Sequence, residues 1–138
     1  MKAGRQRKLW MLVLASLVCM GCSAKETAQV SGRVQYKGGV PIKAGIRIIR
    51  FEPAVDSTAT VRRTASGNIG EDGSFSLYSR KPGDGVPLGK YVVTFTVLSS
   101  ATGGEVLIKP EYMSAADSPF MVEVDGDKSD LNFEIEPK

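Results

Sequence analysis

Tyr91-Val92-Val93-Thr94-Phe95-Thr96-Val97 decides the fold class. Tyr91, Val93, Phe95 and Val97 recur at every second position, which in an extended chain puts them on one face, with Val92, Thr94 and Thr96 on the other. β-Branched and aromatic residues favour that backbone. The segment is therefore expected to be a central strand in the middle of a core. Just before it, Lys81-Pro82-Gly83-Asp84-Gly85-Val86-Pro87-Leu88-Gly89 alternates turn residues too densely for any regular element.

The same two-residue period extends outward. Val30, Gly32, Val34 and Tyr36 alternate with Ser31, Arg33 and Gln35, and Lys37-Gly38-Gly39 then turns the chain. Pro41 lacks a backbone donor and marks the approach to a second strand, Gly45 to Phe51. Alternation breaks there at Ile48-Ile49, which predicts either a bulge or a strand covered on both faces. Val61 to Ile69 reads as a mostly polar edge strand, with Arg62 and Arg63 as solvated edge charges. Asp72-Gly73, between Ile69 and Phe75, is the strongest hairpin signal in the chain and leads into Ser74 to Tyr78. Residues 99 to 119 read as a long irregular connection, either functional or a Greek-key crossover. Phe120, Val122 and Val124, then Leu131, Phe133 and Ile135, read as a last hairpin across Asp125 to Asp130. No stretch keeps a 3.6-residue period for three turns, so the class is all-β. Seven strands in about 110 residues suit a two-sheet sandwich.

The order of these pieces carries a resemblance. Val34-Gln35-Tyr36-Lys37-Gly38-Gly39-Val40-Pro41, Ile49-Arg50-Phe51-Glu52-Pro53, Gly67-Asn68-Ile69-Gly70-Glu71-Asp72-Gly73-Ser74-Phe75-Ser76-Leu77, Pro87-Leu88-Gly89-Lys90-Tyr91-Val92-Val93, Pro110-Glu111-Tyr112 and Ser118-Pro119-Phe120 together resemble the carboxypeptidase regulatory-like domains. These are transthyretin-like, or prealbumin-like, Greek-key β-sandwiches, common in exported lipoproteins of planctomycete type. The resemblance covers about residues 29 to 136. One departure is Lys43-Ala44, where the family often has Pro-Gly. The resemblance implies a non-catalytic sandwich; peptidase activity does not follow from the name of a domain found beside a peptidase.

The first 21 residues set an address. A basic segment ending at Lys8 precedes an apolar run from Leu9 to Met20, the layout of a secretory signal peptide. Twelve residues make a helix of about 18 Å, short of a hydrocarbon core of about 30 Å. Leu17-Val18-Cys19-Met20-Gly21-Cys22 resembles the lipobox of bacterial lipoproteins, with Cys19 where Leu is usual. Residues 1–21 are thus expected to be a removed signal peptide, Cys22 the lipidated first residue of the mature chain, 22–28 a tether, and 29–138 the sandwich. Ser23 rather than Asp after Cys22 implies sorting to the outer membrane. Both cysteines lie at or before position 22, so the mature domain contains no disulfide. Several acyl chains on Cys22 anchor firmly, at about 0.8 kcal/mol per buried methylene.

Charge follows the same division. The chain of 138 residues carries 18 Lys and Arg against 15 Asp and Glu. Four of the basic residues (Lys2, Arg5, Arg7, Lys8) and none of the acidic ones fall in the leader, so the basic excess leaves with it. A nucleic-acid partner is not expected, because binding the phosphate backbone needs a basic face on the folded domain.

Histidine is absent, which removes Ser-His-Asp and Cys-His triads and leaves zinc only carboxylates. The hydroxyisourate hydrolases and intradiol dioxygenases, enzymes with similar sandwiches, both use histidines. The carboxylate pairs Glu71-Asp72, Asp125-Asp127 and Glu134-Glu136 read as turn or outer-face charges rather than a glycosidase pair. Asp125, Asp127, Ser129 and Glu136 match positions 1, 3, 5 and 12 of a calcium loop, but Asp130 stands where glycine is required and a strand pattern follows. Asp125, Asp127 and Asp130 remain weak cation candidates. Tyr78 and Tyr112 are weak binding candidates, and Tyr36 and Tyr91 share the core register. The expectation is a lipid-anchored, non-enzymatic module of the outer membrane, without cofactor, meeting an envelope protein or a polysaccharide. The alternative is an extracytoplasmic small-ligand or carbohydrate binder.

Overall fold

The computed structural model describes residues 26–138, so Cys22 and the signal segment lie outside the described residues. Ten strands form: β1 (Thr27–Ala28), β2 (Val30–Tyr36), β3 (Ile46–Pro53), β4 (Ala65–Asn68), β5 (Ser74–Ser76), β6 (Val86–Pro87), β7 (Gly89–Ser100), β8 (Gly103–Val106), β9 (Met121–Val124) and β10 (Lys128–Ile135). A 3₁₀ turn at Pro110–Met113 is the one helical piece among these residues. The described residues are all-β, and the larger sheets pack face to face.

β7 organises the first sheet. β3 pairs antiparallel along one edge of it, from Ile46 opposite Leu98 to Pro53 opposite Tyr91, and β4 extends that side. Its other edge is shared: β9 takes Gly89 to Val92 and β8 takes the Leu98 to Ser100 end. Tyr91, Val93, Phe95 and Val97 are at most 1% exposed, as their spacing predicts. The second sheet runs β10-β2-β5, with β10 parallel to β2. Val30, Val34, Phe75, Phe133 and Ile135 face inward from it. Phe133 joins the two layers, its ring 5.6 to 6.4 Å from those of Phe51, Phe75, Phe95 and Phe120.

Both flanks of the pair of sheets are stitched. On one, Ser66 and Tyr78 exchange backbone hydrogen bonds at 3.0 and 3.1 Å, linking β4 to the chain leaving β5. Gly67 makes this approach possible, since a Cβ there would stand 2.3 Å from the Ser76 carbonyl oxygen. On the other flank Ile108 bridges Pro137, and Lys138 N donates to Leu107 O at 3.0 Å.

Several expectations need correction. Ten strands replace seven: each of the seven predicted stretches contains a strand, and β1, β6 and β8 are added. Thr27–Ala28, expected above to be part of a tether, pairs with Val86–Pro87, and the Pro/Gly-rich stretch contributes a strand after all. The edge strand begins at Ala65 rather than Val61, and Arg62 lies in the preceding loop. Ile48-Ile49 holds no bulge: the register is unbroken, with Ile49 in the core and Ile48 half-buried on the outer face. Residues 99 to 119 include β8 and the 3₁₀ turn.

Two turns join different sheets. Gly73 takes a φ of 86°, as Asp72-Gly73 requires, and Gly70 N donates to Ser74 O at 2.8 Å. Yet β4 before the turn pairs with β3, and β5 after it pairs with β2. The predicted last hairpin is likewise absent, because β9 pairs with β7 and β10 with β2. Alternation identifies the apolar face of a strand; it carries no information on which neighbour accepts its backbone hydrogen bonds.

Candidate functional site

The outer face of the smaller sheet is polar by sequence and continuous by register. The positions of β2 that alternate with its core residues are Ser31, Arg33 and Gln35. Arg33 lies opposite Ser74 on β5 and Asn132 on β10, which makes one row across three strands. Ser31 is opposite Ser76, and Gln35 is opposite Glu134. A shallow hollow of about 500 Å³ lies over this face, edged by Asp130 and Leu131. Beneath it Gly32 allows β10 to press close, because a Cβ there would stand 2.1 Å from Leu131 O, next to the register shift between Lys128 and Leu131. The face offers donors and acceptors, while its nearest aromatic, Phe75, is only 4% exposed.

A neighbouring hollow of about 520 Å³ runs between β4 and β5 and is bordered by Tyr78, Pro82 and Gly83. Tyr78 is half-buried there. Tyr112, its companion as a binding candidate, is 6% exposed and stacks on Phe120 with ring centres 5.6 Å apart, which makes it a core residue. Tyr91 is also buried, and its hydroxyl donates to Pro87 O at 2.6 Å. Burial raises the Tyr91 and Tyr36 phenols above their ordinary value.

No protein-family model, curated protein or solved structure matches this chain.

Two carboxylates hold loops. Asp84 accepts from the backbone N–H groups of Ser79, Arg80 and Lys81 at 2.9 to 3.2 Å, and these bonds, Ser79 foremost, lower its pKa below the usual carboxylate range. Asp72 accepts from the Ser74 hydroxyl at 2.6 Å and the Ser74 amide at 3.0 Å, with the same consequence. Glu136 is ion-paired with Lys37 and Lys109. The carboxylate pairs seen in the sequence are thus occupied in turns and ion pairs or spread along an exposed strand edge.

The cation candidates are dispersed as well. Asp127 accepts from Gln29 N at 2.9 Å, and Asp125 lies 3.4 Å from Lys128 Nζ. Among the described residues no three acidic side chains converge on one point.

Two features escaped the sequence reading. The Asp84 latch is one, although Asp three to five residues after Ser, Arg and Lys in a Pro-Gly stretch is a usable loop signal. The other is Arg62, whose guanidinium donates to Ala54 O at 2.7 Å and Ser57 O at 2.9 Å and so shapes the 54–64 loop. No local signal announces that clamp, because its acceptors are main-chain carbonyls.

Proposed function

We propose that this protein is a lipid-anchored, non-enzymatic β-sandwich of the bacterial outer membrane, facing the periplasm or the cell surface, that acts as an interaction or structural module in the envelope. Its design would be that of a transthyretin-like Greek-key sandwich of the carboxypeptidase regulatory-like kind, in which β2, β3, β4, β5, β7, β9 and β10 are the seven principal strands. The observation that carries the reading is the run Leu17 to Cys22, which follows a basic and an apolar zone and stands a few residues before the folded domain. The engagement of carboxylates in turns and ion pairs favours a role without catalysis. Lipidated Cys22 tethers the domain, and its loops and sheet faces meet partners.

In whole cells, Cys22→Ala is expected to move the protein from the membrane to the soluble fraction while leaving the melting curve of the domain unchanged. A variant that stays with the membrane overturns the anchor. Crosslinking of the native envelope, with the N-terminal peptide recovered by mass spectrometry, then identifies the partner.

The polar row Ser74-Arg33-Asn132 favours a second reading, a module that binds a small polar ligand or carbohydrate. A ligand held there raises Tm, because it binds only the folded state. Arg33→Ala should abolish that rise.

A further inference from the structure

We propose that one end of the domain, made by residues 54–64 and the segment Val86–Gly89 beside them, rests on the phospholipid bilayer that holds the lipid of Cys22. The proposal builds on the lipid-anchor reading and assigns the surface that faces the membrane.

The first argument is reach. Thr27 and Ala28 pair with Pro87 and Val86, and Leu88 N donates to Glu26 O at 3.1 Å, so the chain is fixed to the body of the domain from residue 26 onward. Four residue steps separate Cys22 from Glu26, and four steps extend at most about 14 Å. Whatever path those residues take, the surface around Glu26 stays within that distance of the modified cysteine. A contact made there is intramolecular and is favoured by a high effective concentration.

The second argument is the chemistry of that surface. Glu26, Thr60, Val61, Pro87 and Leu88 line a hollow of about 220 Å³. Val61 is 37% exposed and Val55 is 99% exposed. A single exposed valine is ordinary on a soluble surface; these two lie on the loop beside the tethered end. The loop is also held in place. Arg62 clamps the Ala54 and Ser57 carbonyls, Ser57 Oγ accepts from Lys90 N at 3.1 Å, and Gly89 packs so closely that a Cβ would stand 2.6 Å from the Ala59 Cβ. The apolar side chains are therefore presented without an ordering cost at the moment of contact.

Charge completes the match. Carbonyl partners orient the Arg62 guanidinium but do not neutralise it, and Arg63 follows directly. Lys90 is paired with Asp56 at 2.6 Å and lies opposite Glu123 on β9, so it adds no net positive charge. Glu26 is the acidic group at the rim of the hollow. Short apolar side chains flanked by arginines suit the boundary between headgroup and acyl chain, where the guanidinium meets phosphate and the apolar group leaves water. Val40 is 54% exposed but follows the far end of β2, about 20 Å from Val30 at 3.3 Å per residue, and serves as the contrast.

The test uses the full lipidated protein in vesicles of phosphatidylethanolamine and phosphatidylglycerol. Because lipid occupies Cys22, Val55→Cys, Val61→Cys and Val40→Cys each supply a single free thiol for an environment-sensitive fluorophore. Thermal melts of the three labelled proteins first establish that each is folded. Labels at 55 and 61 are expected to shift to the blue and to be quenched several-fold more by lipid-borne quenchers than the label at 40. Equal quenching at all three sites, with the Cys22 lipid present by mass, overturns the orientation and leaves the anchor intact. An unmodified Cys22 overturns both. Shielding at position 55 that needs added envelope protein, with no lipid quenching, assigns the surface to a protein partner and overturns the membrane contact.

Discussion

Tyr91 shows how a single side chain can serve two layers of the structure. Its ring is 1% exposed and lies 5.7 Å from Phe51, while its hydroxyl reaches back to Pro87 O and ties the start of β7 to the short β6. Tyr91→Phe keeps the ring and removes the hydrogen bond to Pro87 O, so it should lower unfolding free energy by about 1 kcal/mol in urea titrations. Asp84 acts through charge. Its pKa is lower folded than unfolded, so its stabilising contribution is fully present above the unfolded value of about 3.9 and disappears as pH falls through the lower folded value. Amide exchange at Ser79, Arg80 and Lys81 should accordingly quicken, relative to the rest of the chain, as pH drops below about 4, and Asp84→Ala should show the quickened pattern at neutral pH.

At the scale of elements, close backbone approaches matter as much as strand pairing. Gly67 brings β4 against Ser76, beside the Ser66–Tyr78 bridge that closes one flank. Gly67→Ala must push these segments apart, an overpacking cost of roughly 1–3 kcal/mol that equilibrium denaturation can measure. Such closure also protects the sheet edges, since strands already bonded on both sides offer no template for another chain. Strand identity was largely legible in the sequence, because most of the predicted stretches have one apolar face whose period is local. The polar residues of the outer face were legible individually for the same reason, as the alternate positions of β2. Their assembly into a row was not, because the parallel partner β10 comes almost a hundred residues later and leaves no mark near Arg33. Tyr112 looked freer than it is because its burial depends on Phe120, which packs on it across the return of the chain.

For the whole molecule, the aromatic cluster is the main cross-sheet joint. Phe133 meets rings from β3, β5 and β7, together with Phe120 just before β9. Phe133→Ala is expected to cost about 3–5 kcal/mol, a large part of the 5–15 kcal/mol available to a domain of this size, and to abolish a cooperative melt or lower Tm markedly. A domain without a disulfide has no covalent substitute for that packing. Its contacts are mostly between residues distant in sequence, so refolding on the millisecond to second scale is expected in stopped-flow measurements.

The sequence by itself determined the all-β class, the central strand at Tyr91 to Val97, the turn at Asp72-Gly73 and the absence of histidine chemistry. Each of these depends on side-chain type or on a period spanning a few residues. Only the tertiary structure decided that the Asp72-Gly73 turn changes sheets, that β9 and β10 part company, that Thr27 and Ala28 belong to the folded domain, and that Tyr112 is core. Backbone donors and acceptors are the same in every residue but proline, so which strands pair is settled by how the apolar faces of distant segments pack together.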